Sequence, residues 1–186
     1  MKKAFFLDRD GVITEDPPHY AHRIDQLKIV SGSAEAIHML NDKKIKVIVI
    51  SNQSGIARGM YSEEKTFIFN KALQSELNKK NARIDGFYHC PHHPQAKIDK
   101  YKKICNCRKP EPGMILQAAS EHDIKLSDSF MIGDRKSDIV AGKKAGCKTV
   151  LVLTGVGAQQ KSKYEFEPDF TYSNLFEAVS NILDKS

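Results

Sequence analysis

Two aspartates stand two residues apart in Asp8-Arg9-Asp10-Gly11-Val12, directly after the apolar run Ala4-Phe5-Phe6-Leu7. Carboxylates at i and i+2 on a sharp turn can divide labour: one attacks phosphorus or holds a metal, and the other moves protons to and from a leaving oxygen. Gly11 permits the tight backbone such a turn needs, although Asp and Gly are also ordinary turn residues. A second apolar run, Lys46-Val-Ile-Val-Ile, ends in Ser51-Asn52-Gln53-Ser54-Gly55. There Ser51 and Asn52 can donate hydrogen bonds to phosphoryl oxygens, and the Ile56-Ala57-Arg58-Gly59 loop can present Arg58 to a further anionic group. Later, Arg108 and Lys109 stand just before Pro110, and Met131-Ile132-Gly133-Asp134 closes a short apolar run with a carboxylate, followed by Asp138. Lysine neutralises a phosphoryl group as a point charge, whereas arginine grips an anion through its planar fork. Each pair alone reads as a polar turn or surface charge. Together, four strand or helix ends deliver in chain order a carboxylate pair, a hydroxyl, a lysine and a carboxylate.

The cysteines form a second constellation. Cys90-Pro91-His92, then twelve residues, then Cys105-Asn106-Cys107 supplies three thiolates and one imidazole, a set that suits a closed tetrahedral Zn²⁺ site. Thiolates select a soft metal, so Mg²⁺ is not its occupant. Spacing alone leaves His93 as a rival to His92, while His89 reads as a strand-end residue and Cys147 as a buried thiol. A fully liganded zinc has no open position for water, so its expected role is structural: it pins a loop that runs from Cys90 to Pro112, has four prolines and lacks apolar periodicity.

The elements that must position these residues follow from hydrophobic period. Apolar runs at Lys3–Asp8, Ile45–Ser51, Ile84–His89, Ser129–Ile132, Thr149–Leu153 and Asp169–Tyr172 read as strands. They alternate with helical patterns at Ser33–Asn41, Ser62–Lys80, Gly113–His122, Ser137–Ala145 and Asn174–Asp184. This alternation predicts an α/β fold, a parallel sheet flanked by helices, in which ligands bind at the carboxyl ends of strands. The 186 residues suit one domain, with 40% hydrophobic and 28% charged residues, which excludes a disordered or collagen-like chain. No apolar run approaches the length of a membrane span, and the MKKAFFLDRDGVI start breaks into charge too early for a signal peptide, so a cytoplasmic protein is expected. The formal net charge of +6 favours an anionic partner, but the lysines are scattered, as on solvated faces, so nucleic acid is not the expected one.

The stretches LDRDGVI, SNQSGIARG, YHCPHHPQ, CNCRKPEPGM and MIGD resemble those of haloacid dehalogenase superfamily phosphatases, and within them the heptose bisphosphate phosphatase family, over most of the chain. The resemblance implies a Rossmann-like fold without a large cap domain and a Mg²⁺-dependent phosphomonoesterase that removes the 7-phosphate of a heptose 1,7-bisphosphate. Asp8 matches the nucleophile that becomes an aspartyl-phosphate, Asp10 the general acid and base, and Ser51 and Lys109 the phosphoryl-stabilising positions. Asp134 matches a Mg²⁺ ligand, alongside the Asp8 carboxylate and the Asp10 backbone carbonyl. Asp16, Asn52, Gln53, Ser54, Arg58, Arg108 and Arg135 fall at or beside substrate-recognition positions. The family's Cys-x-His pattern favours His92 over His93 as zinc ligand. Two departures stand out: Arg135 where the family often has Lys, and Pro17 and Pro18 in a segment that contacts the sugar.

Histidinol-phosphate phosphatases resemble the chain in the same motifs, but their zinc loop is typically shorter. A polynucleotide 3′-phosphatase would use the same aspartates with the basic surface. A non-enzymatic zinc-held module would leave Asp8, Asp10 and Asp134 unexplained. The expected partner is a small phosphorylated sugar, with no membrane and no nucleic acid, bound by a monomer.

Overall fold

The computed structural model describes residues 2–16 and 20–185; the Pro17 and Pro18 departure lies outside the described residues. Strands β1 (Ala4–Leu7), β2 (Lys46–Asn52), β3 (Gly86–Cys90), β4 (Phe130–Gly133), β5 (Lys148–Val152) and β6 (Phe170–Tyr172) form one sheet in the order β3-β2-β1-β4-β5-β6. Every pairing is parallel, for example Phe6 with Ile48 on one side and with Met131 on the other. Chain order reverses direction across the sheet between β1 and β4, which opens a crevice at their carboxyl ends.

The central strands are largely apolar because both of their faces are covered, whereas the edge strands β3 and β6 are only partly buried. Phe5, Leu7, Val47 and Val49 point into one core with α1 (Ser33–Asp42), α3 (Glu63–Asn78) and α7 (Leu175–Asp184). Their neighbours Ala4, Phe6, Ile48 and Ile50 point the other way, into a core with α4 (Gly113–His122) and α5 (Lys136–Ala145). Helix starts follow local chemistry: the Ser62 hydroxyl accepts from the Lys65 N–H at 3.2 Å, and the Asn174 side chain accepts from the Glu177 N–H at 2.9 Å.

The five expected helices and six expected strands are present, with no end shifted by more than two residues. Two helices were not legible as elements. α2 (Ser54–Ala57) is a single turn, and α6 (Gly157–Lys163) is polar, with only Gly157 buried, so neither carries an apolar stripe. The segment between β3 and α4 contains one 3₁₀ turn, Asp99–Tyr101, and docks on α2 through the Lys97 and Ile98 N–H groups, which both donate to the Ala57 carbonyl. Among the described residues no helix is long and apolar enough to cross a membrane.

Candidate active site

Asp8 follows β1, Asp134 follows β4 and Asp138 lies on the first turn of α5, so three carboxylates meet at the switch point. A ligand oxygen from each lies within 4.8 Å of the others, and all three residues are buried. Among the described residues their one buried counter-cation is Lys109, whose Nζ sits 3.0 Å from Asp8 Oδ1 and 2.7 Å from Asp138 Oδ1, and donates to the Ile50 carbonyl at 2.7 Å. Burial alone would lower the Lys109 pKa, but Asp138 and Asp8 outweigh it and hold the ammonium above its ordinary value. The half-exposed Arg135 adds only its Nε at 3.7 Å from Asp134 Oδ1, and these two cations do not balance three buried acids. Burial, opposed by Lys109 but reinforced by the neighbouring carboxylates, pushes Asp8 up to about 8. Burial and Asp138 push Asp134 up to about 7, and its Oδ1 is buried without a hydrogen-bond donor. An all-oxygen, over-acidic cluster with an orphaned oxygen fits a hard divalent cation. Gly11 and Gly155 wall it in: a Cβ on either would lie 2.3 Å from Asp134 Oδ2, and both have positive φ, at +87° and +57°.

Asp10 takes no part in that trio. Its carboxylate accepts from Arg9 Nε at 2.9 Å, Arg9 Nη2 at 3.0 Å, Gln53 Nε2 at 3.0 Å and Thr14 Oγ1 at 3.2 Å. Arg9 is 1% exposed, stacks over Phe69 and also donates to Asn70 Oδ1 and the Ala21 carbonyl. It is therefore a buried brace for Asp10. Gln53 Nε2 also donates to Ser51 Oγ at 2.8 Å, and Gln53 Oε1 accepts from Tyr61 Oη at 2.7 Å, so Gln53 couples the hydroxyl to the carboxylate.

A cleft of about 580 Å³ opens over these groups, lined by Asp8, Asp10, Ser51 and Lys109 and, further out, by Arg58, Arg108, Arg135 and Asp16. Arg108 Nη1 donates to Ser54 Oγ at 2.9 Å and to the His92 carbonyl at 3.2 Å, which fixes the guanidinium. Arg135 Nη2 pairs with Asp16 Oδ2 at 2.8 Å, and burial holds the Asp16 carboxyl above its ordinary value.

Two residues expected at the substrate are engaged elsewhere. Gln53 is 2% exposed, behind Asp10 and Ser51, because its amide is saturated by protein partners. Asn52 borders the cleft, but its amide brackets the Lys109 backbone, donating to its carbonyl and accepting from its N–H, both at 3.0 Å.

Cys90, His92, Cys105 and Cys107 form the second cluster, with ligand atoms within 4.8 Å of one another. Sulfur–sulfur distances are 3.2 Å for Cys107 to Cys90, 3.2 Å for Cys107 to Cys105 and 3.6 Å for Cys90 to Cys105; His92 Nδ1 is 3.4 Å from Cys107 Sγ. A tetrahedron with metal–sulfur bonds of about 2.3 Å has edges of about 3.8 Å, and with the sulfurs a little inside that spacing the donor set suits a zinc-sized ion. His93 stands outside it and borders the cleft instead. Cys147 is a separate buried thiol, pushed up to about 12 by burial.

A family model described as HAD-hydrolase-like matches residues 106–178. A D-glycero-beta-D-manno-heptose-1,7-bisphosphate 7-phosphatase of Pasteurella multocida is 46% identical over 156 residues, covering 83% of this chain and 84% of its own. The chain belongs to the haloacid dehalogenase phosphatases of the heptose bisphosphate 7-phosphatase family. A D-glycero-alpha-D-manno-heptose-1,7-bisphosphate 7-phosphatase of Photorhabdus laumondii is 37% identical and covers 94% of this chain and 97% of its own. The crystal structure of D,D-heptose 1,7-bisphosphate phosphatase from B. bronchiseptica, complexed with magnesium and phosphate, aligns over 99% of both chains with a TM-score of 0.90 at 29% identity.

Three residues of this phosphatase were not assigned a site role from sequence. Arg9 lies between the two motif aspartates, and only its burial shows its role. Tyr61 reaches the site by donating to Gln53 Oε1. Asp138 stands four residues after Asp134, in the first turn of α5, and its place just behind that motif was its available signal.

Proposed function

We propose that this phosphatase removes the 7-phosphate of D-glycero-D-manno-heptose 1,7-bisphosphate through an aspartyl-phosphate on Asp8. One observation carries the reading: a single cleft is lined both by the Asp8 and Asp10 pair and by Arg58 and Arg108, which suit a second anionic group. Asp8 attacks phosphorus in line, the ester P–O bond breaks, and Asp10 gives a proton to the departing alkoxide. Asp10 then takes a proton from the water that attacks the aspartyl-phosphate; the acyl P–O bond breaks, phosphate leaves and the Asp8 carboxylate is restored. Ser51 Oγ–H and the Lys109 ammonium hold the charge on the equatorial oxygens, and Asp138 keeps Lys109 aimed at Asp8. The Asp8 and Asp134 carboxylates and the Asp10 carbonyl would hold a Mg²⁺ ion, which when bound would supply positive charge against the phosphoryl oxygens. Cys90, His92, Cys105 and Cys107 would hold a structural Zn²⁺ that fixes the chain leading into Arg108 and Lys109.

The test is a phosphate-release screen over heptose 1,7-bisphosphate, histidinol phosphate and a 3′-phosphorylated oligonucleotide. The bisphosphate should give the highest kcat/KM, and a higher value for either alternative would overturn the substrate assignment. Arg108→Ala should lower kcat/KM for the bisphosphate by about 1.5–3 kcal/mol, as for a charge-assisted hydrogen bond, while an aryl phosphate is barely affected. Equal losses on both would mean that Arg108 serves the transferred phosphoryl group.

The acidic trio also sets a pH dependence. The Asp8 and Asp134 carboxyls titrate higher in the folded chain than unfolded, toward about 8 and about 7 from an ordinary 3.8. The folded state therefore holds extra protons in that window, and stability without a divalent cation falls as pH rises through it. Magnesium binds the deprotonated forms, so millimolar magnesium should raise Tm by about 1 °C or less near pH 5 and by several degrees near pH 8. Scanning fluorimetry at both pH values checks this; equal shifts would contradict it.

A further inference from the structure

His92 and His93 are rivals in the sequence for one zinc position, and only His92 turns its ring to the thiols. His93 is anchored in another way. Its backbone N–H donates to the Tyr101 carbonyl at 3.1 Å, and its own carbonyl accepts from the Ala96 N–H at 3.1 Å. Its ring Nδ1 accepts from the Gln95 N–H at 3.0 Å. A backbone N–H can only donate, so Nδ1 carries the lone pair and the neutral ring bears its proton on Nε2. That Nε2 has no protein partner among the described residues, and the half-buried ring borders the same cleft as Arg58 and Arg108.

We propose that His93 is a specificity-determining residue whose Nε2–H donates a hydrogen bond to the second phosphate of a sugar bisphosphate, beside Arg58 and Arg108. The inference rests on the bisphosphate reading above and adds to it a donor outside the zinc site and outside the phosphoryl-transfer machinery. A neutral donor suits this position. Two guanidinium groups already supply charge, and a third cation would repel them, whereas an oriented N–H adds directionality at no such cost. The ring is also preorganised: three hydrogen bonds fix its backbone and tautomer before any ligand arrives, so little side-chain freedom is lost on binding.

The experiment measures kcat/KM for heptose 1,7-bisphosphate and for heptose 7-phosphate in the wild type, His93→Ala and His93→Gln, with zinc content determined for each protein. His93→Ala should reduce the preference for the bisphosphate by about tenfold, chiefly through KM, with about one zinc per chain retained. His93→Gln, whose amide N–H reaches close to the Nε2 position, should recover most of that preference. An unchanged preference in His93→Ala, or equal losses on the two substrates, overturns the proposal. A wild-type enzyme with no preference for the bisphosphate is a different result, which overturns the substrate reading itself and the role of His93 with it.

Discussion

Asp8→Asn should lower kcat by about 10⁴-fold or more, roughly 5.5 kcal/mol or more of transition-state stabilisation, because the amide keeps the shape of the side chain but has no anionic oxygen to attack phosphorus. The fold should survive. Asp8 is one of three buried carboxylates that share one buried lysine, and burial already pushes it up to about 8. Neutralising it removes part of a repulsion, and Lys109 keeps Asp138 at 2.7 Å. The Tm of the magnesium-free variant at neutral pH should therefore equal or exceed that of the wild type. Normal phosphate release by Asp8→Asn would rule out the covalent route; a Tm fall of more than about 5 °C would show that Asp8 is stabilising and the charge account is wrong.

Cys107→Ser carries the second large effect. The thiol lies 3.2 Å from both Cys90 and Cys105 sulfurs, and the next two residues are Arg108 and Lys109. Losing one of four ligands should drop zinc from about one per chain to a small fraction and cost roughly 3 kcal/mol or more, which lowers Tm by about 6–12 °C. Activity should fall with it, by about 10²-fold in kcat/KM, since small displacements of charge-bearing groups at a reacting centre cost about that much. Full zinc occupancy in the variant would show that the ligand set is wrong. Full activity without zinc would show that Arg108 and Lys109 are held by other means; the pairing of Asn52 with the Lys109 backbone is the obvious alternative brace.

The sheet and its five main helices were legible because both-sided burial writes continuous apolar runs and amphipathic helices write a 3.6-residue period. The same logic explains what was missed. α6 has one buried residue, and α2 is a single turn whose register is set by the chain around it. At the site, residue types and spacing identify which groups converge, since Asp8, Ser51, Lys109 and Asp134 each sit at or near an element end that faces the crevice. They do not identify which way an amide or an arginine turns. Gln53 and Asn52 carry the groups expected of substrate contacts but hold Asp10, Ser51 and Lys109 in place. Arg9 shows the reverse, a charged residue to which spacing assigns no role and which is buried against Phe69 as a brace for Asp10. His92 and His93 are adjacent and alike in sequence, and only the course of the loop separates a thiol-facing ring from a cleft-facing one.

The most direct test of the covalent reading is rapid acid quench of the enzyme during turnover of substrate labelled with ³²P in the transferred phosphate, followed by peptide mapping. Label should appear on the protein within the first turnover, be released by hydroxylamine as expected of an acyl phosphate, and map to the peptide that contains Asp8. Steady turnover with no label on the protein at any time, or label on a residue other than Asp8, would contradict it.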